Sequence, residues 1–241
     1  MPFTYVDVVL AALVVLTGWS GYKFFRYCIR PYLKGQKGEK RIRELLDLFE
    51  FEAAHNVYVP NAKGELAQID HMVKFKDTIG VVETKNFSGE IRGVDYDKCW
   101  VQTINGYDFK FPNPLRQVKR QVEHLQNMLS GDINIRGTVV YAGDATFPHG
   151  TPADVYTFEE FRRDLGKYKT RKRLHEHSPE LNAAWIEVLD QANQTSREQK
   201  RKHRRQLQKK YGRNARNDFI TMRFILLTLS VLGLGVYRLA L

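Results

Sequence analysis

Two apolar runs of membrane-crossing length, one near each end, leave only the middle of this 241-residue chain for a core surrounded by water. Val6–Phe25, VDVVLAALVVLTGWSGYKFF, is 20 residues. As a helix it would extend about 30 Å, the thickness of a bilayer's hydrocarbon layer. The preceding MPFTYVD has no positive n-region and no small-residue cleavage site follows, so a retained transmembrane helix is favoured over a signal peptide. Phe219–Tyr237, FITMRFILLTLSVLGLGVY, is the second such run, with Arg223 close enough to one end to snorkel. It has no polar stripe at helical period and follows a charged stretch, which favours a membrane span over a buried core helix.

The flanking charges set an expected orientation. Lys23, Arg26, Arg30, Lys34 and Lys37 follow the first run, and a dense basic segment precedes the second. The positive-inside rule therefore puts the middle of the chain in the cytoplasm and both termini outside. From Arg197 to Asn217 ten Lys and Arg face one acid, Glu198, which accounts for +9 of the formal net charge of +11. Beside a membrane helix such a segment is attracted to anionic lipid, by about 1 kcal/mol per residue near the surface. Lipid contact and topology are thus preferred to nucleic acid as its explanation. Cys28 and Cys99 have no metal or redox spacing and agree with a reducing compartment.

Between the runs the pattern is mixed α/β. In Gly38–Phe51, Ile42, Leu45, Leu46 and Phe49 recur at helical spacing. NVYVP reads as a strand and NAKGE as a turn, followed by strands over Leu66–Phe75 and Ile79–Asn86 and a short one from Ile91. Asn113 and Pro114 are an N-cap and first helical position, opening a helix to about Leu129 with Leu115, Val118, Val122, Leu125 and Leu129 as its apolar stripe. Ile135–Gly143 is a buried strand, VYTFEEFRRDL a short strand and helix, and Ser178–Pro179 the start of a last helix. The order helix, three strands, helix, strand predicts a mixed sheet with helices packed on it.

Against that apolar background, Asp70, Glu83 and Lys85 sit inside strand segments. Alternation puts Gln68, Asp70 and Met72 on one face, and Val81, Glu83 and Lys85 on one face of the next strand. Antiparallel pairing would bring Asp70 beside Glu83. Two adjacent carboxylates repel unless a cation or proton compensates. Mg²⁺ suits such a pair, because it uses few carboxylates and takes its remaining ligands from water and phosphate. Lys85 could then orient a water or stabilise a phosphoryl oxygen. A salt bridge from Lys85 to either acid is the equal alternative from spacing alone. Glu39 prolongs the buried stripe of the first helix, although a favourable helix-dipole contact explains it better when taken alone. Gln117, with Gln121 and His124 on the same side, is by itself a polar helix face.

The segments KGEKRIRELL, QIDHMVKF, GVVETKNFSGEIRG, the Trp100–Gln102 triplet and FPNPLRQVKRQVEHL together resemble the nuclease-related domain (NERD) of the PD-(D/E)XK nuclease-like superfamily. The likeness is strong over Gly35–Leu129 and looser through Ile135–Tyr141 and VYTFEEF. It implies a restriction-endonuclease-like mixed sheet flanked by helices, in which Asp70 and Glu83 hold Mg²⁺ or Mn²⁺ and Lys85 assists the attacking water. Glu39 and Gln117 fall on the family's supporting polar positions. The expected organisation is a transmembrane helix at 5–25, the nuclease-like domain at 35–167, a helical extension at 168–195, a basic juxtamembrane segment at 196–218 and a transmembrane helix at 219–237.

Other chemistries are poorly supported. His175 and His177 lack a zinc spacing, and there is no Walker A loop, nucleophile elbow or dinucleotide fingerprint. Trp100, Tyr96, Tyr107 and Phe109 read as core or strand residues before a base-stacking platform. The expected function is a membrane-anchored, metal-dependent nuclease acting on nucleic acid, DNA ahead of RNA. The expected location is a bacterial inner membrane, with contact to anionic lipid through the basic segment. A non-catalytic module binding nucleic acid or protein at the membrane is the alternative.

Overall fold

The computed structural model describes residues 5–60, 66–172, 177–194, 198–199, 201 and 215–239. The NAKGE turn, His175 and most of the basic run lie outside them. Helix α1 (Tyr5–Phe24) passes through a π-helical turn, Phe25–Ile29, into α2 (Arg30–Leu48). Strands β1 (Ala53–Pro60), β2 (Leu66–Lys74), β3 (Thr78–Lys85), β4 (Gly89–Arg92), β5 (Cys99–Ile104) and β6 (Tyr107–Pro112) precede α3 (Pro114–Met128). Then come β7 (Asn134–Tyr141), β8 (Ala145–Thr146), β9 (Val155–Thr157), α4 (Phe158–Lys172), α5 (Pro179–Gln194) and α6 (Ala215–Leu239). Chain contacts divide the molecule into residues 35–204 and a terminal unit of residues 1–34 and 205–241.

Residues 35–204 are built on a five-stranded sheet of order β1-β2-β3-β7-β9. β1, β2 and β3 form an antiparallel meander; β7 and β9 then add parallel to β3. The mixed character follows from connection length: short turns allow antiparallel neighbours, whereas the return to β7 passes through α3 and can run parallel. One core cluster joins Val81 and Met72 of the sheet to Val118 and Leu125 of α3 and to Leu181, Trp185 and Val188 of α5. A second joins Val73, Val82 and Val140 to Ile42, Leu45 and Leu46 of α2 and to Phe161 and Leu165 of α4. The sheet is therefore covered by helices on both faces, which is why β3 is almost wholly buried.

Two features depart from the sequence reading. A second, four-stranded sheet of order β6-β5-β4-β8 lies within the segment after β3. Its β5–β6 hairpin turns on Asn105 and Gly106, both at positive φ (51° and 78°), the geometry of a type I′ turn and the reason for its Asn-Gly sequence. Strict alternation also fails along β2. Ile69 packs in the cluster that contains Met72, not the one that contains Val73. Its neighbour β1 carries Asn56 at φ 53°, and the pairing passes from His55–His71 to Val57–Ile69, skipping Asn56 and Asp70 while the register is kept. A left-handed residue inside a strand interrupts the pleat, so Asp70 sits at a local break in the sheet.

In the terminal unit, α1 and α6 lie side by side, with Phe24 and Phe224 stacked at 5.4 Å. A Cβ on Gly21 would lie 2.9 Å from the Phe224 ring, so glycine permits this approach. The Arg223 guanidinium lies 5.2 Å from the centre of the Trp19 ring. Both apolar segments are long enough and apolar enough to cross a membrane.

Candidate active site

Asn113 builds one wall of the site. Its Oδ1 accepts from Leu115 N, capping α3, while its Nδ2 donates to the carbonyls of Val94, Asp95 and Asp97. With Pro114 at the first helical position, this fixes where α3 begins and so where Gln117 stands. Gln117 Oε1 accepts from Lys85 Nζ at 3.1 Å. One turn further on, Gln121 donates through Nε2 to Glu83 Oε2 (2.9 Å) and to the carbonyl of Gln68 (2.8 Å).

The end of β3 supplies the charged centre. Glu83 is 2% exposed and its Oε1 lies 2.6 Å from Lys85 Nζ. The ion pair that the spacing left open is thus present. The β2–β3 ladder runs to His71 opposite Val82, and one step further the same register brings Asp70 to Glu83. There Asp70 Oδ2 accepts from Thr84 N at 3.0 Å. A side-chain carboxylate takes over from the backbone ladder, tying Asp70 to the strand that carries Glu83 and Lys85.

α2 closes in from the other side. A Cβ on Gly38 would lie 2.6 Å from Asn86 Cβ and 3.4 Å from Thr84 Cγ2, so only glycine lets α2 come this close to the end of β3. Glu39 follows directly and is half-buried. Burial, with the negative charge of Glu83 in second place, raises its pKa, while Arg43 and Lys85 oppose the shift. Asp70 is pushed well above the usual carboxylate range, first by burial and then by Glu83. Burial acts to lower the Lys85 pKa, but Glu83, Asp70 and Glu39 together outweigh it and hold the ammonium firmly charged. Three carboxylates therefore lie around the Lys85 ammonium in a partly dehydrated place, with Arg43 acting on Glu39 as a second positive charge, a setting in which acids still outnumber cations.

The structure hydrogen-bonds Lys85 to both Glu83 and Gln117, ties Asp70 to the Thr84 N–H between Glu83 and Lys85, and couples Glu39 to the group electrostatically. It adds Gln121, buried to 5% exposure. The signal in the sequence was an amide four residues after Gln117, interrupting the otherwise apolar inner side of α3. On the opposite side of β2 the buried His71 meets the half-buried His55, their Nδ1 atoms 2.8 Å apart. Burial, followed by the neighbouring His55 and Arg43 charges, lowers His71 to about 3.

Comparison with known proteins shows what the interval around these residues resembles. An uncharacterized protein of Bacillus anthracis is 33% identical over 99 residues, covering 40% of this chain and 47% of that protein. The chain thus matches about half the length of that relative. No solved structure matches. The family model for the nuclease-related domain matches residues 34–142, the interval that contains Glu39, Asp70, Glu83, Lys85, Gln117 and Gln121, and membership of the PD-(D/E)XK superfamily is consistent with it. Residues 34–142 of this chain are thus similar to the nuclease-related domain.

Proposed function

We propose that this domain hydrolyses phosphodiester bonds of nucleic acid, DNA in preference to RNA, with Mg²⁺ or Mn²⁺ held by Asp70 and Glu83. The observation that carries this reading is the convergence of Asp70, Glu83 and Glu39 on the single ammonium of Lys85. The donor set fits such an ion. Among the described residues no group of three or more His, Cys, Asp or Glu side chains forms a ready metal cage. Two carboxylates in a charge-deficient pocket are instead the ligand set of a hard cation that keeps waters and shares a substrate phosphate. When bound, such an ion supplies Lewis-acid polarisation of the phosphate and a water of lowered pKa.

The chain's own groups have separable tasks. Lys85, kept protonated by its three acidic neighbours, donates to the attacking water or to a phosphoryl oxygen whose charge grows in the transition state. Gln117 holds the Lys85 ammonium in place. Gln121 fixes the Glu83 carboxylate by occupying Oε2, and the backbone N–H of Thr84 fixes Asp70. Glu39 adds negative charge to the cation site from α2.

Cleavage of labelled DNA and RNA by the full chain in detergent, with Mg²⁺, Mn²⁺ or EDTA, tests this reading. Metal-dependent cutting that Asp70→Asn abolishes supports it. A folded protein that binds neither ion and cuts neither polymer leaves the non-catalytic binding module. The location belongs to the same proposal: α1 and α6 span a bacterial inner membrane, the domain faces the cytoplasm, and the Arg197–Asn217 run meets anionic lipid. A reporter active only outside the cytoplasm should work when fused after Leu241 and fail after Leu129. The reverse pattern would overturn the orientation.

A further inference from the structure

The β5–β6 hairpin exposes aromatic rings on a side that begins in the core. Cross-strand pairing sets Trp100 opposite Phe111, Gln102 opposite Phe109 and Ile104 opposite Tyr107, and alternation places all six on one face. At its base this face is interior: Trp100 is fully buried, and Phe111 packs edge-on against Phe87, two residues past Lys85. In the middle, Gln102 Nε2 donates to the carbonyl of Ser88 at 2.7 Å, which fastens the face to the chain leaving the catalytic strand. Beyond that the face continues into solvent, with Phe109 53% and Tyr107 71% exposed. The opposite face is polar and internally satisfied, with Arg92 bonded to both Thr103 and Asp108.

Exposed aromatics are informative where they form a patch continuous with a site. Tyr107 and Phe109 are two residues apart on one face, a separation of about 6.8 Å along the strand. That equals roughly two van der Waals contacts, the space a planar base needs between two rings. The type I′ turn at Asn105–Gly106 fixes the hairpin just ahead of Tyr107. Stacking on exposed rings accepts any base but requires that the base be unpaired, because a duplex hides its base faces.

We infer that the β5–β6 hairpin is a stacking platform on which Tyr107 and Phe109 hold an unpaired stretch of the nucleic-acid strand beside Glu83 and Lys85. The substrate class is thereby nucleic acid with a single-stranded segment. This rests on the nuclease reading and narrows it. Trp100, Tyr107 and Phe109 are strand residues, as the sequence reading expected, and Trp100 alone of the three is core; the two exposed rings carry a stacking role in addition.

The test measures binding of the full chain in nanodiscs to a labelled mixed-sequence oligonucleotide, its duplex, and an abasic strand of equal length, all in EDTA. Tyr107→Ala and Phe109→Ala should each weaken single-strand binding about tenfold. Duplex and abasic-strand binding should change little, and Tyr107→Phe should retain affinity. The indole introduced by Phe109→Trp should be quenched on adding the single strand. Equal losses for single strand, duplex and abasic strand, or no loss at all, would overturn the inference while leaving the nuclease reading intact. Quenching of the introduced indole by brominated lipid in place of oligonucleotide would also overturn it, assigning the patch to the bilayer. A wild-type chain that binds no nucleic acid would remove the nuclease reading itself.

Discussion

Two polar pairs, each with one buried member, lie on either side of one short stretch of β2, and they meet the cost of burial in opposite ways. His71 faces His55 within the layer covered by α2; both imidazoles are driven toward the neutral form, and one ring nitrogen bonds the other. Asp70 faces Glu83 across the end of β3; its pKa is raised, and the nearby cation, Lys85, serves three acids. The histidine pair gives up its charge and joins its two Nδ1 atoms, leaving the buried Nε2 of His71 without a hydrogen-bond partner among the described residues. The carboxylate cluster keeps charge instead, and negative charge outweighs positive there. Adjacent residues of one strand thus belong to a neutralised imidazole pair and to a charged cluster, two different answers to the cost of burying a titratable group.

The largest contrast should appear in cleavage. Asp70→Asn, Glu83→Gln and Lys85→Ala should each lower the rate by about 10³-fold or more, and doubles should be little worse than singles because the three act as a unit. His71→Phe should leave the rate within severalfold of wild type. Single-turnover cleavage by the full chain checks both, and a collapse of cleavage in His71→Phe at unchanged folding would merge the two pairs into one site. Calorimetry should show metal affinity lost in Asp70→Asn and Glu83→Gln but largely kept in Lys85→Ala.

Opposite pH slopes sharpen the same contrast. The folded pKa of His71, about 3, lies below the ordinary 6.5, so the unfolded chain binds the extra proton. Stability from this group is present above pH 6.5 and falls between 6.5 and about 3, by on the order of a few kcal/mol. Asp70 has its pKa raised in the fold, so its contribution is present below the ordinary carboxylate range and is lost as pH climbs through the raised value. In thermal melts, Asp70→Asn should therefore raise the melting temperature of the metal-free protein at neutral pH, and Mg²⁺ should stabilise wild type but not the variant. A lower melting temperature for Asp70→Asn would contradict the charge-deficient picture.

Intermediate effects belong to the groups that position the carboxylates. Gln121→Leu removes the donor shared by Glu83 and the Gln68 carbonyl and should cost about 1–3 kcal/mol in stability, with a partial loss of activity. Gly38→Ala drives a methyl into Asn86 and should cost about 1–3 kcal/mol while displacing Glu39, so metal affinity should fall with it. Glu39→Gln and Gln117→Ala should have the smallest effects, roughly tenfold in rate. Denaturant melts paired with metal titration separate these; an unaltered metal affinity in Gly38→Ala would detach α2 from the site.

What could be read from the residues was whatever is encoded locally. The start of α3 follows from Asn113 and Pro114, because a cap and a fixed φ act within one turn. The adjacency of Asp70, Glu83 and Lys85 follows from a tight β2–β3 turn that leaves few registers open. Length and apolarity alone mark the two membrane-length helices. The second sheet was partly legible, since the Asn105–Gly106 turn is a hairpin signal, but β5 and β6 lack a strong apolar run because much of their surface is exposed.

Tertiary structure decided the rest, where groups far apart in sequence compete for one space. Gln121 became a partner of Glu83 only when α3 settled on the sheet, because an amide on a helix face carries no sign of what the face will meet. The break at Asn56 overrode the two-residue period of β2, which holds only while the backbone stays extended. Tyr107 and Phe109 share the strand face of the buried Trp100, yet they are 71% and 53% exposed. A sequence fixes which side of a strand a residue takes; only the packed fold decides whether anything lies on that side.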